Sequence, residues 1–308
     1  MAAKEDRLPE TLRNDPYTGL SDRLYYATGE MLGADDFQAE QLYHRRQLAM
    51  TLRFLYGSGT IAGLKVTVEP QAPDSSDPTR HSEIVIVVKP GLAIDRAGRL
   101  VEVPVPVSLR LKRWLSYTTN PDATGDPHAP DALTNALNNS TVTADLFLSF
   151  HPCERGWTPA FASGPFDSLD ASQPSRIRDS YELKLLLRSS GDASTFDPWA
   201  ASLPDNPSKA QVQEAILDSW DSLLPPANDM GDFHEIPAEL KDPAAIRLAR
   251  LNIPVEHNAS VLQVADLDWR ITAWSKQPSS SADNTRNVDN TARNFIVPPA
   301  ILRRIHNL

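Results

Sequence analysis

The sequence predicts an α+β fold, mainly β, with an N-terminal arm and helix, an antiparallel β core and long irregular loops. Three observations predict it. Proline reaches 26 of 308 residues while aromatics make up 7%, a pairing that suits short strands and irregular connections better than a helical bundle. Residues 35–56 form the first long stretch with apolar positions at helical spacing, and glycines close it. From residue 60 to 103 the chain breaks into short β-branched runs separated by Pro90-Gly91 and by Asp95-Arg96-Ala97-Gly98.

Residues 1–34 carry few periodic apolar positions and read as an extended arm, with Tyr25 and Tyr26 as candidate anchors. In the helix at 35–56, Asp35 with Gln38 fits a capping box, each side chain satisfying an orphan amide. Phe37, His44, Leu48 and Leu55 fall on one line with Leu52 beside it, and Arg46 and Arg53 point the other way. Gly57 and Gly59 end the helix, because glycine accepts a left-handed cap.

Strands are expected at 60–68, 83–88, 92–95 and 99–103, with a loop at 70–80. Ile84 to Val88 is apolar at every position, so that strand is expected to be buried on both faces. Pro104 and Pro106 send the next segment to a sheet edge, since proline cannot donate to a ladder. A long loop follows at 116–140. Thr143 to Phe150 alternates, with Ala144, Leu146, Leu148 and Phe150 on one face and Asp145 and Ser149 on the other. Residues 151–175 read as a loop carrying Trp157, Phe161 and Phe166, and Tyr181 to Leu187 returns as a strand. Ser208 and Gln211 form a second capping box, opening a helix at 208–224 that Pro225-Pro226 stops. Late strands are expected at 246–255 and 261–274. Three divisions result: arm and helix at 1–58, a β-rich core at 59–274 with the inserted helix, and a mobile linker and docking tail at 275–308. Phe295 and Ile296 open the apolar part of the tail.

A net charge of −10 without a Lys or Arg run argues against nucleic acid as a partner, because that interface needs clustered cations to release counterions. Cys153 is the sole cysteine, which excludes an intrachain disulfide and a thiolate zinc cluster. No apolar run approaches the roughly 20 residues of a membrane span, and the N-terminus lacks the apolar stretch of a signal peptide. The expectation is a cytoplasmic protein, or one carried inside a larger assembly.

Candidate chemistry is sparse. Gly57-x-Gly59-x-x-x-Gly63 looks like a dinucleotide loop, but a phosphate cradle needs strand, glycines and then a helix N-terminus. Here a helix comes first, so the glycines read as a cap and a turn. His44 lies on the apolar helix line without a ligand at the next turn, and reads as a buried or half-buried histidine bonded to a backbone carbonyl. His151, Cys153 and Glu154 could hold a metal or form an activated thiol, yet they read as a strand exit at Pro152. Asp35 and Asp36 suit a helix start, and Asp266 and Asp268 a solvent-facing strand. Trp157, Phe161 and Phe166 suit an interface or a sugar-stacking platform, and interface is the preferred reading.

Three blocks carry a resemblance. Gly29-Glu30-Met31-Leu32, Asp35-Asp36-Phe37, Glu40-Gln41 and Tyr43-His44 lead into Gly57-x-Gly59-x-x-x-Gly63-Leu64-x-Val66. Pro90-Gly91-x-Ala93-Ile94-Asp95-x-x-Gly98-Arg99 is the second. Leu146 to Phe150, Pro174-Ser175-Arg176-Ile177-Arg178 with Tyr181 and Leu183, and Leu248-Ala249-Arg250-Leu251 are the third. On these the chain resembles baseplate- or tail-associated proteins of contractile, phage-tail-like injection systems. The resemblance implies a non-enzymatic subunit without a cofactor, whose partners are other baseplate, sheath or tube subunits in multiple copies. Within the second block, Gly91 is expected at a positive φ or a tight bend, and Asp95 and Arg99 flank a turn at Gly98.

Overall fold

A computed structural model describes residues 23–29, 31–71, 83–111, 113–114, 141–159, 172–188, 206–223, 244–258, 261–264, 288–291 and 293–298. The fold is α+β, mainly β. Helix α1 (Ala34–Tyr56) is followed by β1 (Gly59–Gly63), β2 (Val66–Gln71), β3 (Glu83–Val88), β4 (Gly91–Ile94), β5 (Leu100–Val103) and β6 (Val107–Arg110). A long hairpin of β7 (Thr141–Pro159) and β8 (Ser172–Leu187) comes next. Helix α2 (Lys209–Leu223), β9 (Ile246–Asn258), β10 (Val261–Val264) and β11 (Val288–Asp289) complete the described elements.

These strands form three antiparallel sheets, ordered β1-β4-β5, β2-β3-β6 and β10-β9-β7-β8, with β11 on β9. One apolar core joins them. It takes alternate residues of β2 and β3 (Val66, Val68, Ile84, Ile86, Val88) and of β7 (Ala144, Leu146, Leu148, Phe150), with Leu248 and Leu251 from β9. Each fully buried leucine or isoleucine there contributes about 1.5–3 kcal/mol. Val85 and Val87 are buried as well, so β3 is covered on both faces. β6 lies at a sheet edge, where the prolines before it leave no ladder bond unmade.

The expected strand at 60–68 is two strands in two sheets. Gly63 (φ +67) and Leu64 (φ +55) both turn left-handed between them, and such a bend ends one ladder before the next begins. Gly63 cannot carry a side chain there, because a Cβ would lie 2.1 Å from the Pro90 carbonyl oxygen. Gly91 meets the same crossing from the other side. A Cβ on it would come within 2.3 Å of the Ala62 oxygen, so close approach rather than a positive φ requires glycine there.

The N-terminal cap of α1 is Gly33, not Asp35. Asp36 supplies half of a box by accepting the Gly33 amide at 2.7 Å, and Gly33 has no side chain to return the bond. The second box forms as read: the Ser208 amide donates to Gln211 Oε1 at 2.8 Å and the Gln211 amide to Ser208 Oγ at 3.3 Å.

A larger departure concerns 151–175. β7 runs on through Pro152 to Pro159 and β8 begins at Ser172, paired from Cys153↔Arg178 to Pro159↔Ser172. A two-stranded ribbon leaves both outer edges free, which is where proline is tolerated. Within the expected tail at 275–308, the described residues 288–291 and 293–298 lie against the body. β11 pairs with β9, and Asn290 accepts the Val66 amide and donates to the Val66 carbonyl, each at 2.9 Å. Ile296 N–H donates to the Thr60 carbonyl, and the Thr60 amide to the Asn294 carbonyl. Of the expected loop at 70–80, residues 70–71 belong to β2 and 72–80 lie outside the described residues, as do the expected loop at 116–140, Phe161, Phe166, Asp266, Asp268 and 299–308.

Candidate interaction surfaces

Helix α1 is mounted opposite to its apolar pattern. Ala49 and Arg53 face the body and are buried, while the line Phe37, Leu48 and Leu55 is 51%, 53% and 69% exposed. His44 is exposed too, edge-on to Tyr43, where the sequence pattern predicts a buried or half-buried side chain. The cause lies in the turn after β4. Asp95, wholly buried, accepts the amides of Ala97 (2.9 Å) and Arg99 (2.8 Å) on Oδ1 and the Arg99 guanidinium on Oδ2 (2.6 Å). Arg99 in turn lies 4.7 Å over the Phe150 ring. The turn is thus rigid, and Gly98 (φ +80) comes so close to α1 that a Cβ would sit 2.0 Å from the Ala49 carbonyl oxygen. Only a small residue on the helix can meet that turn, so Ala49 faces inward and the apolar line of Phe37, Leu48 and Leu55 faces solvent. Gly57 (φ +70) then caps α1, its amide donating to the Arg53 carbonyl.

The arm before α1 adds to this surface. Tyr26 donates its hydroxyl to Glu40 Oε2; that bond, with the charge of Glu40, raises the phenol's pKa. Tyr25 is 82% exposed. Together with the helix line they present aromatic and aliphatic side chains that the described body does not cover.

Past the last β9 pair, Leu148↔Ile246, the β7–β8 hairpin continues as a ribbon. At about 3.4 Å per residue, the stretch from His151 to Pro159 reaches roughly 27 Å. Residues opposite one another share a face. One face carries Cys153 with Arg178, Arg155 with Arg176, and Trp157 with Pro174. The other carries Pro152 with Asp179 and Glu154 with Ile177. Cys153 and Glu154 therefore point apart, and Cys153 Sγ reaches only the His151 carbonyl, at 3.8 Å. The His151, Cys153 and Glu154 constellation is not assembled. Trp157 is 52% exposed. The grouping of Arg155, Arg176 and Arg178 with Trp157 was beyond the sequence reading, because it appears only once the hairpin register is known.

Deeper in the same hairpin, Asp145 is wholly buried within reach of three arginines. Arg250 binds it through Nε (2.8 Å) and the second nitrogen (2.9 Å), and Arg247 and Arg188 approach at 3.3 Å. Arg247 also borders a small cleft with Ser58, Gly59, Arg96, Ile246, Arg293 and Asn294. Its volume of about 20 Å³ gives room for little more than a water. Arg293, whose guanidinium donates to the Leu64 carbonyl at 2.8 Å, is desolvated there to a pKa of about 10. Phe295, beside it, remains 56% exposed, and Ile296 is half-buried.

Among the described residues no group of three or more His, Cys, Asp or Glu side chains could hold a metal ion, and no helix is long and apolar enough to cross a membrane. No protein-family model matches the chain, and no curated protein matches it.

Proposed function

We propose that this chain is a structural subunit of a contractile, phage-tail-like injection particle. Its place is the baseplate or an accessory end structure, and it acts through protein–protein contacts without a catalytic step or a cofactor. The particle assembles in the cytoplasm. The outward apolar line of α1 carries the reading: a helix that turns Phe37, Leu48 and Leu55 to solvent and Ala49 and Arg53 to its own body is built to be covered by another chain. The ribbon, with an exposed tryptophan well away from the core, agrees with it, as do the motif blocks of the first 107 residues.

Purified particles from cells expressing a tagged chain test the proposal. The tag is expected to co-sediment with sheath and tube, and a double variant, Leu48→Glu/Leu55→Glu, to stay folded but drop out of the particle. Particles that lack the chain altogether would refute it. A carbohydrate- or surface-binding role within the same particle is the second reading, favoured by Trp157 alone. It requires glycan binding that Trp157→Ala abolishes while particle assembly continues.

A further inference from the structure

We propose that the Arg155, Trp157, Arg176 and Arg178 face of the β7–β8 ribbon docks on an acidic surface of a protein partner. Arg155 and Arg176 are direct cross-strand neighbours, and Arg178 follows two residues along the same face. All three are exposed. Like charges placed opposite each other destabilise a ladder, and a two-stranded ribbon is marginal without support. The acids nearest in sequence, Glu154 and Asp179, occupy the opposite face, so they do not meet these guanidiniums on the arginine face itself. An anionic surface laid along the arginine face neutralises all three guanidiniums together.

The chemistry favours protein over nucleic acid. A nucleic acid is an extended line of phosphates that would run beyond the three arginines onto the rest of a chain at −10, whereas a bounded acidic patch on a protein matches the arginine face alone, within a Debye length. Arginine beside an exposed tryptophan is the pairing that concentrates binding energy at protein interfaces. This deepens the proposed function and rests on it only in taking the occupant to be a protein.

The test uses the full chain and a fluorescent oligo-glutamate peptide, read by anisotropy at low and high salt. Binding is expected at low salt, weakening as salt rises. Arg155→Gln/Arg176→Gln/Arg178→Gln is expected to weaken it by about tenfold. Single reversals, Arg155→Glu and Arg178→Glu, are each expected to cost about fivefold and serve if the triple variant misfolds. Unchanged binding in these variants overturns the inference. So does an arginine-dependent preference for duplex DNA over the peptide. The measurement needs no particle: a chain absent from particles but bound by the peptide would sink the proposed role alone, and the reverse result would sink the inference alone.

Discussion

The two halves of the β7–β8 hairpin use arginine differently. In the inner half, Arg188 just past the end of β8 and Arg247 and Arg250 of the adjoining β9 converge on one buried carboxylate, Asp145 of β7, on the face of the sheet turned away from the apolar core. In the outer half, Arg155, Arg176 and Arg178 stand exposed on one face, with Glu154 and Asp179 on the other. The same residue type fixes strands where water is excluded and remains available where it is not. Burial decides which: a buried guanidinium must find acceptors within the chain, a carboxylate at Asp145 or neutral oxygens as for Arg293, while an exposed one is held by solvent until a partner replaces it.

Removing the inner carboxylate is the largest single change the comparison allows. Asp145→Ala leaves three neighbouring cations, two of them almost wholly buried, without their shared anion. Breaking a buried pair from one side costs about 3–5 kcal/mol, a large share of the roughly 5–15 kcal/mol that holds a domain together. Urea denaturation followed by circular dichroism is expected to show a much lower midpoint, or no folded baseline. A variant as stable as the parent would mean that the cluster is not clamping the hairpin.

The mounting of α1 is the next test. Gly98→Ala places a methyl group against the Ala49 carbonyl at a positive φ, so both the turn and the helix must shift. A loss of about 2–3 kcal/mol is expected, with faster amide exchange at the C-terminal half of α1. Gly57→Ala is the control. It also has a positive φ, but open space surrounds its Cβ, so the smaller loss expected there separates backbone strain from the helix contact.

Sequence pattern revealed the body well and the surfaces poorly. β3 was readable because Ile84 to Val88 leaves no polar position. The turn at Asp95 was readable because Asp, Gly and Arg at that spacing bond locally. The ribbon was hidden because it has no core face: Pro152, Gly156 and Pro159 among charged residues look like a loop, and only cross-strand bonds make them a strand. For α1 the apolar period was read correctly and its direction was not. Amphipathicity says which residues group together, and the inward side is set by Gly98, 49 positions beyond Ala49 in sequence. Asn290 and Arg293 stitch the C-terminal segment to β2 and to Leu64 through backbone groups, and such contacts have no periodic signature.

An exposed ion pair calibrates the buried one. Lys89 and Glu69 meet at 2.8 Å, with their side chains 42% and 44% exposed. The lysine's hydrogen bond, then that of Thr67, lowers the Glu69 pKa below 4.5. A depressed carboxylate contributes stability that is present above the unfolded pKa and lost as pH falls through the folded value. Glu69→Gln is therefore expected to cost no more than roughly 0.5 kcal/mol at neutral pH. The difference should vanish as pH drops below 4.5 and through the lowered folded pKa. Parallel denaturation curves across that window check it. A constant difference down to strong acid would assign the effect to packing.

The outer arginines offer the smallest effect and the opposite sign. Arg155→Gln removes one member of the directly opposed Arg155–Arg176 pair and leaves the ladder intact. Relief of that repulsion is worth a few tenths of a kcal/mol at low ionic strength, and screening reduces it as salt is added. The variant is thus expected to melt at or slightly above the parent temperature in dilute buffer and to match it in high salt. A destabilised variant would place Arg155 with Arg188 and Arg247, as a residue the fold depends on, and would remove the contrast between the two halves of the hairpin.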